Sequence, residues 1–201
     1  MKYLKILVAL FTLLLSACND APKLSALQQH DVILAFGDSL TQGVGASKEH
    51  SYPSVLSSIS GIEVFNAGIS GETTQEGLQR LSKVIEQHNP TIMILLEGGN
   101  DILQNKNPED IQFNLDEMIA IAKSYGVEVV LIGVPEKNLF STSAPFYKEL
   151  ADKHQLVFAP SIVSKLMKTP EMKSDYVHFN KTGYAAMAES IHQLLKDNGA
   201  F

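Results

Sequence analysis

The sequence predicts an α/β fold, a three-layer α/β/α sandwich with a mainly parallel sheet of five strands, and three observations support this prediction. Five short runs are rich in Val, Ile, Leu or Phe, as are strands that a parallel sheet buries on both faces. Segments in which apolar residues recur at helical spacing separate these runs. The chain has 201 residues, 45% of them hydrophobic and 19% charged, which is enough for one domain with a sizeable core.

Each predicted strand is a short run in which β-branched and other apolar residues dominate. The strands are 32–36 (VILAF), 63–67 (EVFNA), 91–96 (TIMILL), 127–134 (VEVVLIGV) and 156–159 (LVFA). Because the runs show little alternation between polar and apolar residues, they fit strands covered on both faces better than strands with one face in water.

The predicted helices lie between and after the strands, at 52–59, 73–88, 108–125, 143–154 and 181–197. Residues at three helix ends support these bounds. Pro108 suits a first helical turn, where a missing N–H is tolerated, and Gly126 suits the position just past a helix. Asn180 can cap the last helix by accepting a hydrogen bond from an early backbone N–H.

The first 17 residues are predicted to be a secretory signal and not part of the fold. Lys2 and Lys5 give a cationic start, and the apolar run that follows, 6–15, is too short to span a bilayer as a helix. The segment Leu15-Ser16-Ala17-Cys18 resembles the bacterial lipobox, whose cysteine becomes the lipidated first residue of the mature protein. Cys18 is the one cysteine of the chain, so it has no partner for an internal disulfide.

This interpretation sets the domain organisation and the location. We expect residues 1–17 to be removed, residues 18–30 to carry the lipid on Cys18 and form a polar tether, and residues 31–201 to form the folded domain. Removal of the signal takes away two lysines and leaves 14 basic and 22 acidic residues, which moves the formal charge from −6 to −8. That charge disfavours nucleic acid as a partner. We expect an exported monomer that acyl chains anchor in the bacterial cell envelope, facing the periplasm.

A serine suited to nucleophilic catalysis follows the first predicted strand. Gly37-Asp38-Ser39-Leu40 comes directly after 32–36, and open α/β sheets place their reactive groups at the carboxyl ends of strands. A nucleophilic serine needs a base, a group that orients the base, and hydrogen-bond donors for an oxyanion. His178 is the candidate base, and Asp175, three residues earlier, is spaced to meet its other ring nitrogen.

Three groups can donate hydrogen bonds to the oxyanion. The backbone N–H of Ser39, at a strand-to-helix turn, can point at the developing charge. Gly71 can offer another N–H because it has no Cβ to block a substrate, and Asn100 offers a neutral side-chain donor. We assign Asp38, beside the serine, a structural role.

Four blocks of the sequence resemble those of the SGNH (GDSL) hydrolases. The blocks are Gly37-Asp38-Ser39-Leu40 followed by Gly43, 66–74 (NAGISGETT), Gly98-Gly99-Asn100-Asp101, and Asp175-Tyr176-Val177-His178. Their order and spacing cover the whole mature domain, and they are most similar to the small bacterial thioesterases, lysophospholipases and arylesterases.

The resemblance implies the flavodoxin-like SGNH hydrolase fold and a division of roles at the site. It implies a catalytic triad of Ser39, Asp175 and His178, with an oxyanion hole formed by Ser39, Gly71 and Asn100. It implies no cofactor. The remaining histidines (His30, His50, His88, His154 and His192) show no metal-ligand spacing, and no nucleotide-binding loop is present, so we expect neither a metal nor a cofactor.

Two apolar features near the expected site bear on the substrate. Phe179 stands where members of this branch often carry proline, and it can either wall an acyl pocket or pack inside the domain. The segment 134–141 follows a strand and precedes a helix, so we expect it at the catalytic rim. Its Leu139 and Phe140 are unusually apolar for a loop tip, which favours an acyl or aryl group over a sugar.

Three functions are compatible with these residues. The favoured one is a serine esterase that hydrolyses carboxylic ester or thioester bonds of acyl or aryl compounds, including lysophospholipids. The second is an O-deacetylase of a polysaccharide that uses the same residues. The third is a non-catalytic envelope lipoprotein with a vestigial site. Labelling with a serine-directed phosphonate separates the third from the others, and activity on graded acyl lengths separates the first two.

Overall fold

The computed structural model describes residues 23–137 and 141–201, and five strands form the centre of the molecule. They are β1 (Val32–Gly37), β2 (Glu63–Gly68), β3 (Ile92–Leu96), β4 (Glu128–Ile132) and β5 (Val157–Ala159). All neighbouring strands pair in parallel, in the order β2-β1-β3-β4-β5. The residues of β3 and most of those of β1 and β4 are buried, as expected for a sheet covered on both faces.

Helices cover the two faces and complete the predicted three-layer sandwich. They are α1 (Ser39–Gln42), α2 (Tyr52–Ser60), α3 (Thr74–His88), α4 (Gly99–Leu103), α5 (Pro108–Ser124), α6 (Pro145–His154), α7 (Ile162–Met167) and α8 (Lys181–Asp197). One layer contains α2, α7 and α8, and the other contains α3, α5 and α6. Within the described residues, no helix is both long and apolar enough to cross a membrane.

The strand order locates the crevice. From β1 the chain moves to β2 on one side, then returns to β3 on the other side of β1, and continues outward to β4 and β5. The order therefore reverses between β1 and β3. Open α/β sheets bind ligands at this reversal, outside the carboxyl ends of the strands. We call this side of the sheet the carboxyl edge and the opposite side the amino edge.

The fold prediction is confirmed, and the differences lie at element ends. The strand predicted at 127–134 ends at Ile132, and the helix predicted from 143 begins at Pro145. Ala144 is extended, with φ −62° and ψ 145°, because the ring of the following proline disfavours helical backbone at the residue before it. The expected helix-end residues Pro108, Gly126 (φ +77°) and Asn180 are where the sequence places them. The helices α1, α4 and α7 were not predicted, because four to six residues are too few to show a helical period.

The N-terminal segment is bound to the amino edge. Backbone N–H groups of Leu24 and Leu27 donate to the carbonyls of Asn198 (2.8 Å) and Ala200 (2.9 Å), just past α8. Ser25 donates to the carboxylate of Glu128, from its hydroxyl at 2.8 Å and its backbone N–H at 2.9 Å. Part of the predicted tether, 24–28, is therefore attached to the domain. Cys18 and the predicted signal lie outside the described residues.

Candidate active site

The end of β1 sets the position of Ser39. Asp38 caps the short helix α1 by accepting a 2.9 Å hydrogen bond from the backbone N–H of Leu40, so Ser39 becomes the first helical residue. A Cβ on Gly37 would lie 2.2 Å from the carbonyl oxygen of Leu96 in β3, so only glycine allows the two strand ends to come this close. Ser39 is thereby held at the reversal point of the sheet.

The structure brings the predicted serine, histidine and aspartate together. Ser39 Oγ lies 3.1 Å from His178 Nε2, and His178 Nδ1 lies 2.8 Å from Asp175 Oδ2. The other carboxylate oxygen of Asp175 accepts from the backbone N–H groups of Val177 and His178, both at 2.9 Å. This short loop precedes α8, and one carboxylate both shapes it and orients the imidazole.

Asp175 keeps its negative charge although it lies beside a reactive centre. The hydrogen bond from His178 is the largest cause, followed by the backbone N–H donors of His178 and Val177, and together they lower the pKa of Asp175 to about 2. Its side chain is 53% exposed, so solvent screens its charge and this hydrogen bond matters more for orientation than for stability. An ionised Asp175 favours the tautomer in which His178 Nδ1 carries the proton and Nε2 can accept one from Ser39.

The predicted oxyanion donors line the same cleft as Ser39 and His178. Gly71 has φ +83°, a left-handed backbone conformation that favours glycine. A Cβ at this position would meet no heavy atom within 4 Å, so the backbone conformation explains the glycine and a lack of space does not. Asn100, in α4 just past β3, donates from Nδ2 to the carbonyl oxygen of Glu72 at 2.8 Å. Its Nδ2 also lies 3.4 Å from Asp38 Oδ2. The bond to Glu72 fixes the plane of the Asn100 amide, and the second N–H of Nδ2 makes only the longer hydrogen bond to Asp38, which an oxyanion could replace.

Four acidic side chains close to these donors are buried, and the sequence did not predict a catalytic role for any of them. Glu72, Glu97 and Asp101 are buried, as is Asp38, the predicted structural residue. Burial raises the pKa of Asp38 to about 6. Burial, and then Asp38 and Glu72, raises the pKa of Glu97, whose Oε1 has no hydrogen-bond partner among the described residues. A carboxylate at the end of the apolar run TIMILLE was the one signal that pointed to Glu97.

A cleft of 440 Å³ opens beside Ser39. Its apolar lining comes from Leu40, Ile102, Leu103, Val134, Pro135, Met167, Tyr176 and Val177. Tyr176 is 74% exposed and Leu103 is 47% exposed, so the rim itself presents apolar surface to solvent. Residues 134–137 line the cleft, as expected for this loop, whereas Leu139 and Phe140 lie outside the described residues.

Phe179 packs inside the domain and does not line the cleft. It is fully buried and makes an edge-on contact with the ring of Tyr184 in α8, with 5.6 Å between ring centroids. Of the two roles considered for it, the packing role is the one observed. Within 23–137 and 141–201, no cluster of three or more His, Cys, Asp or Glu side chains is arranged to hold a metal ion.

Comparisons with known proteins show a family to which the chain is similar over most of its length. The model of the GDSL-like lipase/acylhydrolase family matches residues 35–186. An arylesterase of Vibrio mimicus is 32% identical over 200 residues, which cover 94% of this chain and 98% of that protein. Thioesterase 1/protease 1/lysophospholipase L1 of Escherichia coli K12 is 29% identical over 83% of this chain and 84% of its own length. The crystal structure of AlinE4, an SGNH-hydrolase family esterase, superposes with a TM-score of 0.66 at 29% identity, covering 86% of this chain and 98% of that one.

Proposed function

The chain belongs to the GDSL-like lipase/acylhydrolase family, and from this premise we propose that Ser39, His178 and Asp175 catalyse hydrolysis of carboxylic esters or thioesters. The observation that carries the proposal is the continuous hydrogen-bonded path from Asp175 through His178 to Ser39 Oγ, next to an apolar cleft. Enzymes named arylesterase and thioesterase/lysophospholipase among the relatives support the same class of reaction.

The geometry fits a two-step acyl transfer. As Ser39 Oγ bonds to the substrate carbonyl carbon, its proton passes to His178 Nε2, 3.1 Å away, and Asp175 stabilises the resulting imidazolium. The carbonyl oxygen becomes an oxyanion, for which the N–H groups of Ser39, Gly71 and Asn100 are the proposed donors. The bond to the leaving oxygen or sulfur then breaks, and that atom takes the proton from Nε2. Water repeats the sequence on the acyl-enzyme and releases a carboxylic acid.

The cleft supports an acyl or aryl group as the substrate moiety. Eight of its lining residues are apolar or aromatic, and the two charged side chains beyond Asp38, those of Glu136 and Lys137, come from the loop after β4. An apolar pocket with a few convergent polar groups is the usual form of a small-molecule site. The polysaccharide O-deacetylase alternative is less well supported by such a lining.

Covalent labelling and an ester panel test the proposal. A fluorophosphonate should add to one serine, Ser39, and Ser39→Ala should abolish the adduct in mass spectrometry. Ser70 also lines the cleft, so Ser70→Ala is the matched control and should keep the adduct. We expect esters with acyl chains longer than acetyl to be hydrolysed at least as fast as acetyl esters. Labelling at another serine, or activity confined to acetylated glycans, would contradict the proposal.

The membrane anchor remains a proposal, and the attached N-terminal segment adds an orientation to it. The five residue-to-residue steps from Cys18 to Lys23 reach at most about 18 Å. The segment 24–28 is fixed at the amino edge, and the six residues of β1 separate that edge from Ser39 by about 20 Å. We therefore propose that an anchor on Cys18 holds the cleft away from the anchoring bilayer, so that substrates reach it from the aqueous side.

Two measurements test the anchor and the orientation separately. Wild-type protein should incorporate fatty acid and Cys18→Ser should not, and a wild-type protein without fatty acid would refute the anchor. On vesicles that carry the anchored protein, we expect hydrolysis of a lysophospholipid in the same bilayer to be no faster than with released protein at equal concentration. A large advantage for the anchored form would refute the orientation.

A further inference from the structure

We propose that Arg80, through its ion pair with Glu72, positions the Glu72 carbonyl that orients Asn100 toward the oxyanion. The inference rests on the proposed esterase function, because it assigns a role in the oxyanion hole of that same site. Arg80 lies in α3, does not line the cleft, and makes its hydrogen bonds to Glu72 and Ala67. It would act as a positioning residue.

Arg80 spans both ends of the turn that contains Gly71. Its Nη2 donates to the carbonyl oxygen of Ala67, near the end of β2, at 2.8 Å. Its Nε donates to Glu72 Oε1 at 2.6 Å, and Nη2 also donates to Glu72 Oε2, which makes the ion pair bidentate. One guanidinium therefore ties Ala67, in the strand that leads into the turn, to Glu72 at the end of the turn. A planar, forked donor suits this task, whereas the single ammonium of lysine does not.

The same residue, Glu72, serves Asn100 through its main chain. The Glu72 carbonyl accepts the 2.8 Å hydrogen bond from Asn100 Nδ2, and the Glu72 side chain is held by Arg80. Within the turn, the backbone N–H of Glu72 reaches the carbonyl of Ile69 at the longer distance of 3.2 Å. The side chain of Glu72 thus adds a strong charged anchor to a turn that has a weak backbone hydrogen bond of its own.

The guanidinium is itself fixed in place. It lies over the ring of Phe36 in β1, 4.0 Å from the ring centroid, and its side chain is 20% exposed. The Glu72 side chain is 5% exposed and has buried Asp38 and Glu97 as acidic neighbours. Arg80 is the cation that balances this carboxylate, so its removal would leave a buried negative charge unpaired beside the oxyanion donors.

Kinetics of Arg80 variants test the proposal. Arg80→Lys keeps a charge but cannot span the Ala67 carbonyl and both Glu72 oxygens, so it should fold and lose kcat on the order of 10- to 100-fold, with KM changed by less than about threefold. Lys153→Met is the matched control, because it removes an ion pair to Asp116 that joins α5 and α6 away from the cleft. It should leave kcat unchanged. A wild-type kcat for Arg80→Lys would overturn the proposal, and a loss matched by Lys153→Met would do the same.

Two double variants separate positioning from stability. Arg80→Met with Glu72→Gln removes both charges, so Tm should rise relative to Arg80→Met alone while kcat stays low; recovery of kcat together with Tm would overturn the proposal. In protein that already carries Asn100→Ala, Arg80→Lys should lower kcat at least fivefold less than it does in wild type. The reason is that Arg80 is proposed to act on the oxyanion only through Asn100. Equal losses in both backgrounds would overturn the link to Asn100. Failure of the esterase proposal is distinguishable, because the fluorophosphonate would then label a serine other than Ser39, or Ser39→Ala would hydrolyse the ester as fast as wild type.

Discussion

At the carboxyl edge of the sheet Ser39 meets His178, 139 positions away in sequence, and at the amino edge Ser25 meets Glu128, 103 positions away. Both contacts join distant parts of the chain through hydrogen bonds. Around Ser39, however, acidic side chains such as Asp38 and Glu97 are buried and their pKa values are raised. The hydrogen bonds from Ser25 to Glu128, in contrast, lie at the protein surface, where water can replace them.

The difference shows at which edge the fold contains groups that lower its stability. Burying ionisable groups opposes folding, so their presence at one edge indicates a use other than stability. Hydrogen bonds at the amino edge fix the N-terminal segment 24–28 at low cost and involve no reactive group. Substitutions at the carboxyl edge should therefore change turnover more than stability, and those at the amino edge should change only stability.

The largest effect is expected for the nucleophile and the base. Ser39→Ala and His178→Ala should each lower kcat on the order of 10⁴- to 10⁶-fold, and the double variant should cost little more, because the two groups act as one unit. Steady-state kinetics on a small water-soluble ester measures this. Retention of a tenth of the rate by Ser39→Ala would remove Ser39 from the mechanism.

Asp175 should come next. Asp175→Asn keeps the size of the side chain but offers an amide to His178, so the tautomer with a free Nε2 is no longer favoured, and kcat should fall on the order of 10²- to 10⁴-fold. With its pKa lowered to about 2 by the bond from His178, Asp175 stays ionised above about pH 4. Any change of wild-type kcat between pH 5 and pH 8 should therefore come from a group other than Asp175. An Asp175→Asn variant with wild-type kcat would contradict its orienting role.

How far the sequence could predict this molecule depends on the range of the interactions. The apolar runs predicted all five strands, since burial on two faces leaves a local mark on composition. Ser39, Asn100 and His178 come from three of the four blocks and line one cleft, and their catalytic roles stay predictions. Phe179 was left undecided between pocket and packing, and only its contact with Tyr184 in three dimensions decides between them.

The supporting charges could not be predicted for a physical reason. Arg80 stands four residues after Glu76 and three before Lys83, so in sequence it has the pattern of a charged, solvated helix face. Its partners, the Ala67 carbonyl and Glu72, become neighbours only when β2 and α3 pack together. Likewise, the tether prediction took 18–30 as one polar segment, because hydrogen bonds from Leu24 and Ser25 to distant residues leave no periodic signal.

The buried acid at the carboxyl edge should make stability depend on pH. Burial raises the pKa of Asp38 from 3.8 to about 6, so between these values the folded state binds more protons than the unfolded state. The free energy of unfolding should then fall as pH rises from 4 to 6, and Asp38→Asn should remove up to about 3 kcal/mol of that fall. Asparagine can still cap α1 with its side-chain oxygen, so the start of this helix stays the same in both proteins. Urea unfolding at pH 4 and pH 7 measures it, and equal pH dependence in both proteins would show that Asp38 does not titrate in this range.

The smallest effect is expected at the amino edge, where Glu128 holds the N-terminal segment. Glu128→Ala removes the acceptor for both donors of Ser25, and because these bonds are exposed to water, we expect a loss of about 1 kcal/mol in the free energy of unfolding. Values of kcat and KM should not change, since Glu128 begins β4 and Ser39 lies past the other end of the sheet. Glu63 begins β2 at the same edge, and its carboxylate makes no hydrogen bond within the described residues, so Glu63→Ala is the control and should change stability by less than about 0.5 kcal/mol. A change in kcat for Glu128→Ala would mean that the two edges are coupled and that the contrast between them is incomplete.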